Sequence, residues 1–242
     1  MQSKFDRSYY IDHKDVYLKN LAPLFKSARK VLDGQIPEAL IPVCINETKE
    51  AFPRFLAELP PLGGDRNLFN ASIIPGVAAL AYIRTLEKHE IPAEVIDNSI
   101  YEIYSITYSS LSWFIRKLLM RQEFSAKHMR QLQDFAAWTQ EREFEENFVV
   151  DFVPGDGRTF DFGFDCKECA VMNYFKRMDA EEHMPYLCIG DFASSRALRT
   201  GLTRTQNLAF GGKCCDFRYK RNTLGLAGLP IEGLPEYRQM KK

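Results

Sequence analysis

The chain has 242 residues, 45% of them apolar and 26% charged, with 32 basic and 32 acidic side chains in balance. That composition supports a sizeable core and an ordinary solvated surface, and the lack of a basic excess argues against a nucleic-acid partner. No apolar run approaches the ~20 residues that cross a bilayer. Met1–Arg7 is polar where a secretory signal would be apolar. The expectation is a cytoplasmic protein with no membrane partner, whose six cysteines are reduced.

Apolar residues at helical spacing, Val16, Leu21, Leu24, Phe25, Ala28 and Leu32, predict a first helix over 13–32, stopped at Gly34. A second is expected over 46–59, ahead of the break Pro60-Pro61-Leu62-Gly63-Gly64. Further helices are expected at 68–89, 92–120 and 126–146, with Pro92 suited to a first helical turn. Beyond residue 147 the period changes to two. Residues 148–153 and 158–164 read as a β-hairpin across Pro154-Gly155-Asp156-Gly157, with Phe160, Phe162 and Phe164 on one face. That glycine-rich turn joins two strands, so it is no phosphate loop. Helices over 166–178 and 185–198 follow, then strands over 203–210 and 213–220 divided by Gly211-Gly212. The fold class is therefore α+β: a helical region 1–146, a cysteine-rich α+β region 147–222 with an antiparallel sheet of about four strands and inserted helices, and a C-terminal surface arm 223–242.

Five of the six cysteines fall between 166 and 215, while Cys44 stands alone and reads as core. Cys166 and Cys169 share a face at a predicted helix start, where the helix dipole favours a thiolate. Cys188 and Asp191 repeat that spacing, and strand parity turns Cys215 inward with Phe217 and Tyr219 while Cys214 goes out with Asp216 and Arg218. The expectation is that Cys166, Cys188, Asp191 and Cys215 converge on one pocket. Zinc held by Cys166, Cys169, Cys188 and Cys215 is the rival, although one C-x2-C pair is an incomplete zinc pattern. Without zinc, no cofactor is expected. His183 is the one histidine in this half and the candidate proton shuttle, against a bland reading as a turn residue. Tyr101, Tyr104 and Tyr108 form one helical stripe, read either as core or as the wall of a polar pocket, with Arg116 nearby.

Cys188-Ile189-Gly190-Asp191, then Arg204-Thr205-Gln206-Asn207-Leu208-Ala209-Phe210-Gly211, then Cys215-Asp216-Phe217-Arg218 resemble the C-terminal signature of L-2-amino-thiazoline-4-carboxylic acid hydrolases. The resemblance is close over 160–220 and looser around Ala81–Leu86. It implies hydrolysis of a cyclic C=N bond in a small-molecule substrate, with ring opening of 2-amino-thiazoline-4-carboxylate to N-carbamoyl-cysteine. On that reading Cys188 is the nucleophile and Asp191 the general acid/base. Cys166, Cys215 and Asp216 take wall or secondary roles, and Arg204, His183 and Tyr104 contact substrate. The alternative is a non-catalytic small-molecule- or metal-binding module of the 4-vinyl-reductase type. The large helical half leaves surface for a homodimer.

Overall fold

The computed structural model describes residues 8–240, so the N-terminal segment Met1–Arg7 lies outside the described residues. A short helix α1 (Ser8–Asp12) leads into α2 (Lys14–Leu32), α3 (Leu40–Ala57), α4 (Asn70–Lys88) and α5 (Ala93–Ser109). Helix α3 begins six residues before its expected start. Pro42 falls in its first turn, where the missing N–H leaves no bond unmade. The single helix expected over 92–120 is two, α5 and α6 (Trp113–Glu123). Ser112 leaves helical geometry and accepts the Ile115 N–H at 3.3 Å, so a local cap outcompetes continuation. Helix α7 (Ala126–Thr139) also stops early: the Thr139 hydroxyl accepts the Val150 N–H at 3.0 Å and ties the helix end to the sheet.

The sheet is antiparallel with order β1 (Val149–Pro154), β2 (Phe162–Glu168), β3 (Cys215–Tyr219), so it has three strands where about four were expected. The missing strand is 203–210. The N–H groups of Thr205 and Gln206 bond the Asp216 carboxylate instead of a neighbouring strand, leaving one bridge from Thr203 to Arg218 and a 3-10 turn over Leu208–Phe210. In the first hairpin, Asp156 accepts the N–H groups of Arg158, Thr159 and Phe160, so the donors of that turn are consumed internally.

Register puts Phe152, Phe164 and Phe217 in one row and Val150, Cys166 and Cys215 in another. The inner face is an aromatic ladder: Phe164 stacks on Phe217 at 4.5 Å and Phe162 on Tyr219 at 5.0 Å. Strand β2 runs through Glu168, past the expected helix start at 166. Helix α8 (Ala170–Arg177) follows with Cys169 as its N-cap. Helix α9 (Met184–Leu198) packs on α5 and sends Ile189 and Phe192 into a second apolar cluster with Leu202, Phe210, Ile231 and Leu234. The segment expected to be a surface arm thus folds back. Ile231 and Leu234 are buried, as is Glu236 on α10 (Pro235–Met240), because the apolar underside of α9 needs a cover.

The turn that seats residues 200–204 depends on Gly201, at φ +65°. A Cβ there would lie 1.8 Å from Thr223 Oγ1 and 2.2 Å from the Lys220 carbonyl oxygen. Gly201→Ala is expected to cost about 2–4 kcal/mol in urea denaturation, from left-handed strain and a forced shift of backbone. A loss of a few tenths would show that the turn reorganises freely.

Candidate active site

The inner end of the sheet and two helix termini bring four thiols together. Cys166 on β2 and Cys215 on β3 are direct cross-strand partners, which sets their Cβ atoms about 4.5–5.5 Å apart. Cys169 sits at the N-cap of α8, and Cys188 comes in from α9. Each of the four feels at least one other electrostatically.

Their chemistry divides sharply. Burial pushes the Cys188 thiol well up, with the Cys215 and Asp191 charges adding to it. Cys215 is pushed up to about 12, again by burial. Cys166 goes up through the neighbouring Cys169 side chain and its own burial, while its S–H donates to the Glu168 carbonyl at 3.1 Å. Cys169 alone goes down. The neighbouring Cys166 side chain lowers it most, and the Met172 and Val171 N–H groups of the first helical turn add to this, although no full-strength capping bond closes. Of the four thiols, Cys169 is the one whose deprotonated form its surroundings favour. Cys214 stands apart on the outer face, beside Asp165 and Asp216.

Asp191, one turn beyond Cys188, is the acidic group at this place. Burial raises its pKa from the ordinary carboxylate value, against the pull of Arg204. Arg204 is held between the rings of Phe192 (4.8 Å) and Phe217 (4.9 Å). It donates to Asp191 at 3.0 Å, to both Glu236 oxygens at 2.7 and 2.9 Å, and to the Cys188 carbonyl at 3.1 Å. Four of its five N–H groups are thus committed, so it orients Asp191 with one donor to spare. Glu236 also accepts from Asn207, whose amide oxygen faces the Cys215 sulfur at 3.6 Å.

Cys169, Cys188, Asp191, Tyr104, Tyr108 and Tyr219 keep partial solvent access, the Asp191 side chain as much as 45%. Yet desolvation raises the pKa of all of them but Cys169, where it opposes the net fall. The Asp191 charge acts on each of the other five, so the six side chains stand around one carboxylate. Tyr104 is stacked on Tyr108 at 6.5 Å, with its ring against Gly190. The tyrosine stripe is therefore divided, with Tyr104 and Tyr108 toward Asp191 and Tyr101 packed on the second apolar cluster.

Two sequence candidates lie elsewhere. The Asp216 carboxylate is spent on the 205–206 turn. His183 is buried between helices, its Nδ1 at 2.6 Å from Asp97 and Nε2 at 3.2 Å from Glu87. Among the described residues, Glu87, Glu182 and His183 are the three metal-ligating side chains whose donor atoms lie within 4.8 Å of one another; the four thiols do not gather so closely. The hydrogen bond to Asp97 raises the His183 pKa, against burial. The imidazolium therefore stabilises the fold below the unfolded value of about 6.5, and this contribution is lost as pH rises through the higher folded value. Wild-type Tm is expected to fall across that window. His183→Gln should be less stable at pH 6 and show a flatter profile; parallel profiles would remove the histidine from the account.

Sequence reasoning missed Glu236 and Asn207, and it set Cys169 beside Cys166 at a helix start that favours a thiolate while giving the nucleophile role to Cys188. The left-out capping position of Cys169 was legible once β2 is extended to 168; nothing around Glu236 marks it.

The family model described as L-2-amino-thiazoline-4-carboxylic acid hydrolase matches residues 71–219, which spans α4 to β3 and includes Cys166, Cys169, Cys188, Asp191, Arg204 and Cys215. No curated protein and no solved structure matches the chain. No helix among the described residues is long and apolar enough to cross a membrane.

Proposed function

The chain belongs to the L-2-amino-thiazoline-4-carboxylic acid hydrolase family, and on that premise we propose that it hydrolyses a cyclic amidine of the thiazoline type, with Cys169 as nucleophile. The observation that carries this is the place of the Cys169 sulfur at the N-cap of α8, where the Cys166 side chain and the first-turn N–H groups lower its pKa, within the field of the Asp191 carboxyl.

The thiolate adds to the ring carbon between nitrogen and sulfur, and Asp191 gives its proton to the ring nitrogen. The adduct collapses by breaking the bond from that carbon to the ring sulfur, which leaves as a thiolate. An isothiouronium on Cys169 remains. Water adds to the same carbon, giving one proton to the Asp191 carboxylate. The second collapse expels the Cys169 thiolate, and the remaining hydroxyl proton passes to the product sulfur. Substrate plus water becomes an N-carbamoyl aminothiol, and the protein returns to its starting state. In this scheme Arg204 and Glu236 position Asp191. Cys188, Cys215 and Cys166 are neutral thiols of the wall, and Tyr104, Tyr108 and Tyr219 offer hydroxyls to the substrate's polar substituents.

The test is 2-amino-thiazoline-4-carboxylate mixed with protein, quenched in acid and mapped by mass spectrometry. The expected adduct is on the peptide carrying Cys169. Turnover that survives complete alkylation of Cys169 would exclude this nucleophile.

A further inference from the structure

Seven large apolar side chains are exposed among the described residues, and five of them lie on α6 or the groove beside it. Trp113, Phe114, Ile115 and Leu118 are 67%, 65%, 43% and 55% exposed, and Leu224 across the groove is 48% exposed. Scattered exposed apolar residues are ordinary, but a contiguous set signals an interaction. The groove has a volume of about 520 Å³ and runs between α6, the C-terminal end of α9 and residues 222–224.

Its charge is one-sided. Arg116, Lys117, Arg196 and Arg199 line it, and no carboxylate does. Arg196 and Arg199 donate to the carbonyls of Gly225 and Asn222, and Lys117 lies 5.0 Å over the Trp113 ring. The Nε of Arg116 is buried with no hydrogen-bond partner. In a chain of zero net charge, four cations without an anionic partner around one groove, one with an orphaned donor, call for an external anion. The acid of α6, Glu123, sits at its far end against His128.

We propose that this face docks on an anionic phospholipid membrane, with headgroup phosphates in the cationic groove and Trp113, Phe114, Ile115 and Leu118 entering the interface. The composition of α6 is that of a helix lying in the interfacial plane: aromatic and aliphatic residues flanked by Lys and Arg. A second copy of the chain fits the face poorly, because two such surfaces would oppose like charges. The sequence argued against a membrane only by lacking a spanning segment, which surface docking does not need.

The test is sedimentation of the full chain with vesicles of phosphatidylcholine alone and of phosphatidylcholine with phosphatidylglycerol. Binding is expected to the anionic vesicles only, to weaken with salt, and to move Trp113 emission to shorter wavelength; Trp113→Phe should abolish that shift. Each neutralised cation should weaken binding about fivefold, so R116Q with K117Q costs about 25-fold. Phe114→Ser should also weaken binding without lowering Tm, since the side chain is exposed. Equal binding to neutral vesicles, or no binding to either, would overturn the proposal. So would inorganic phosphate that titrates the groove while vesicles are ignored, or a concentration-dependent dimer that Phe114→Ser dissolves.

Discussion

Cys169→Ser is expected to lower turnover of a cyclic amidine on the order of 10⁴-fold or more, the scale on which deleting a covalent nucleophile acts. Serine is among the preferred N-cap residues, so the fold should keep or gain stability while losing chemistry. That pairing separates this variant from one that merely unfolds. Cys188→Ser is the informative partner. Its thiol is held protonated by burial, so losing it should cost about tenfold, the size of a wall contact. Steady-state kcat/KM on both variants, at matched Tm, checks the assignment. An inactive Cys188→Ser beside an active Cys169→Ser would exchange the two roles.

Arg204→Ala is expected to destabilise the protein by about 3–5 kcal/mol in urea denaturation, the cost of leaving a buried charge without its partner. The side chains of Arg204 and Glu236 are both fully buried, so the carboxylate left behind would retain only Asn207. Arg204→Lys should rescue little, because an ammonium cannot reproduce the fork that spans Asp191, Glu236 and the Cys188 carbonyl. Arg204→Met combined with Glu236→Leu should recover most of the stability, since both charges then leave together. Equal losses in the single and double variants would show that packing between Phe192 and Phe217, rather than charge, holds the residue.

The elements legible in the sequence were those governed by local pattern. The period-two phenylalanines made a strand visible, although β2 begins at Phe162, four residues after its expected start and past Phe160, and parity separated buried Cys215 from Cys214. The apolar spacing of 68–89 and 185–198 fixed α4 and α9 to within a residue or two. Errors arose where side chains take over backbone hydrogen bonds. Ser112 split one helix, Thr139 ended another, and Asp216 dissolved an expected strand. The gathering of Cys166, Cys169, Cys188 and Cys215 was partly readable because two of them share strand parity. The partners that set their chemistry were not. Glu236 meets Arg204 from 32 residues away, a distance no periodicity encodes, and the direction of the Cys169 shift follows first from the Cys166 side chain and then from a helix start displaced by four residues from its expected place.

The region matched to the family ends at 219, while Glu236 lies beyond it. Its negative charge raises the proton affinity of Asp191 through Arg204's neighbourhood. The surroundings of the acid thus include a charge from a segment outside the region matched to the family, added to the larger effects of burial and Arg204. A substitution at position 236 therefore reaches Asp191 with every residue of the matched region left as it stands, at the cost of leaving the Arg204 charge buried without Glu236.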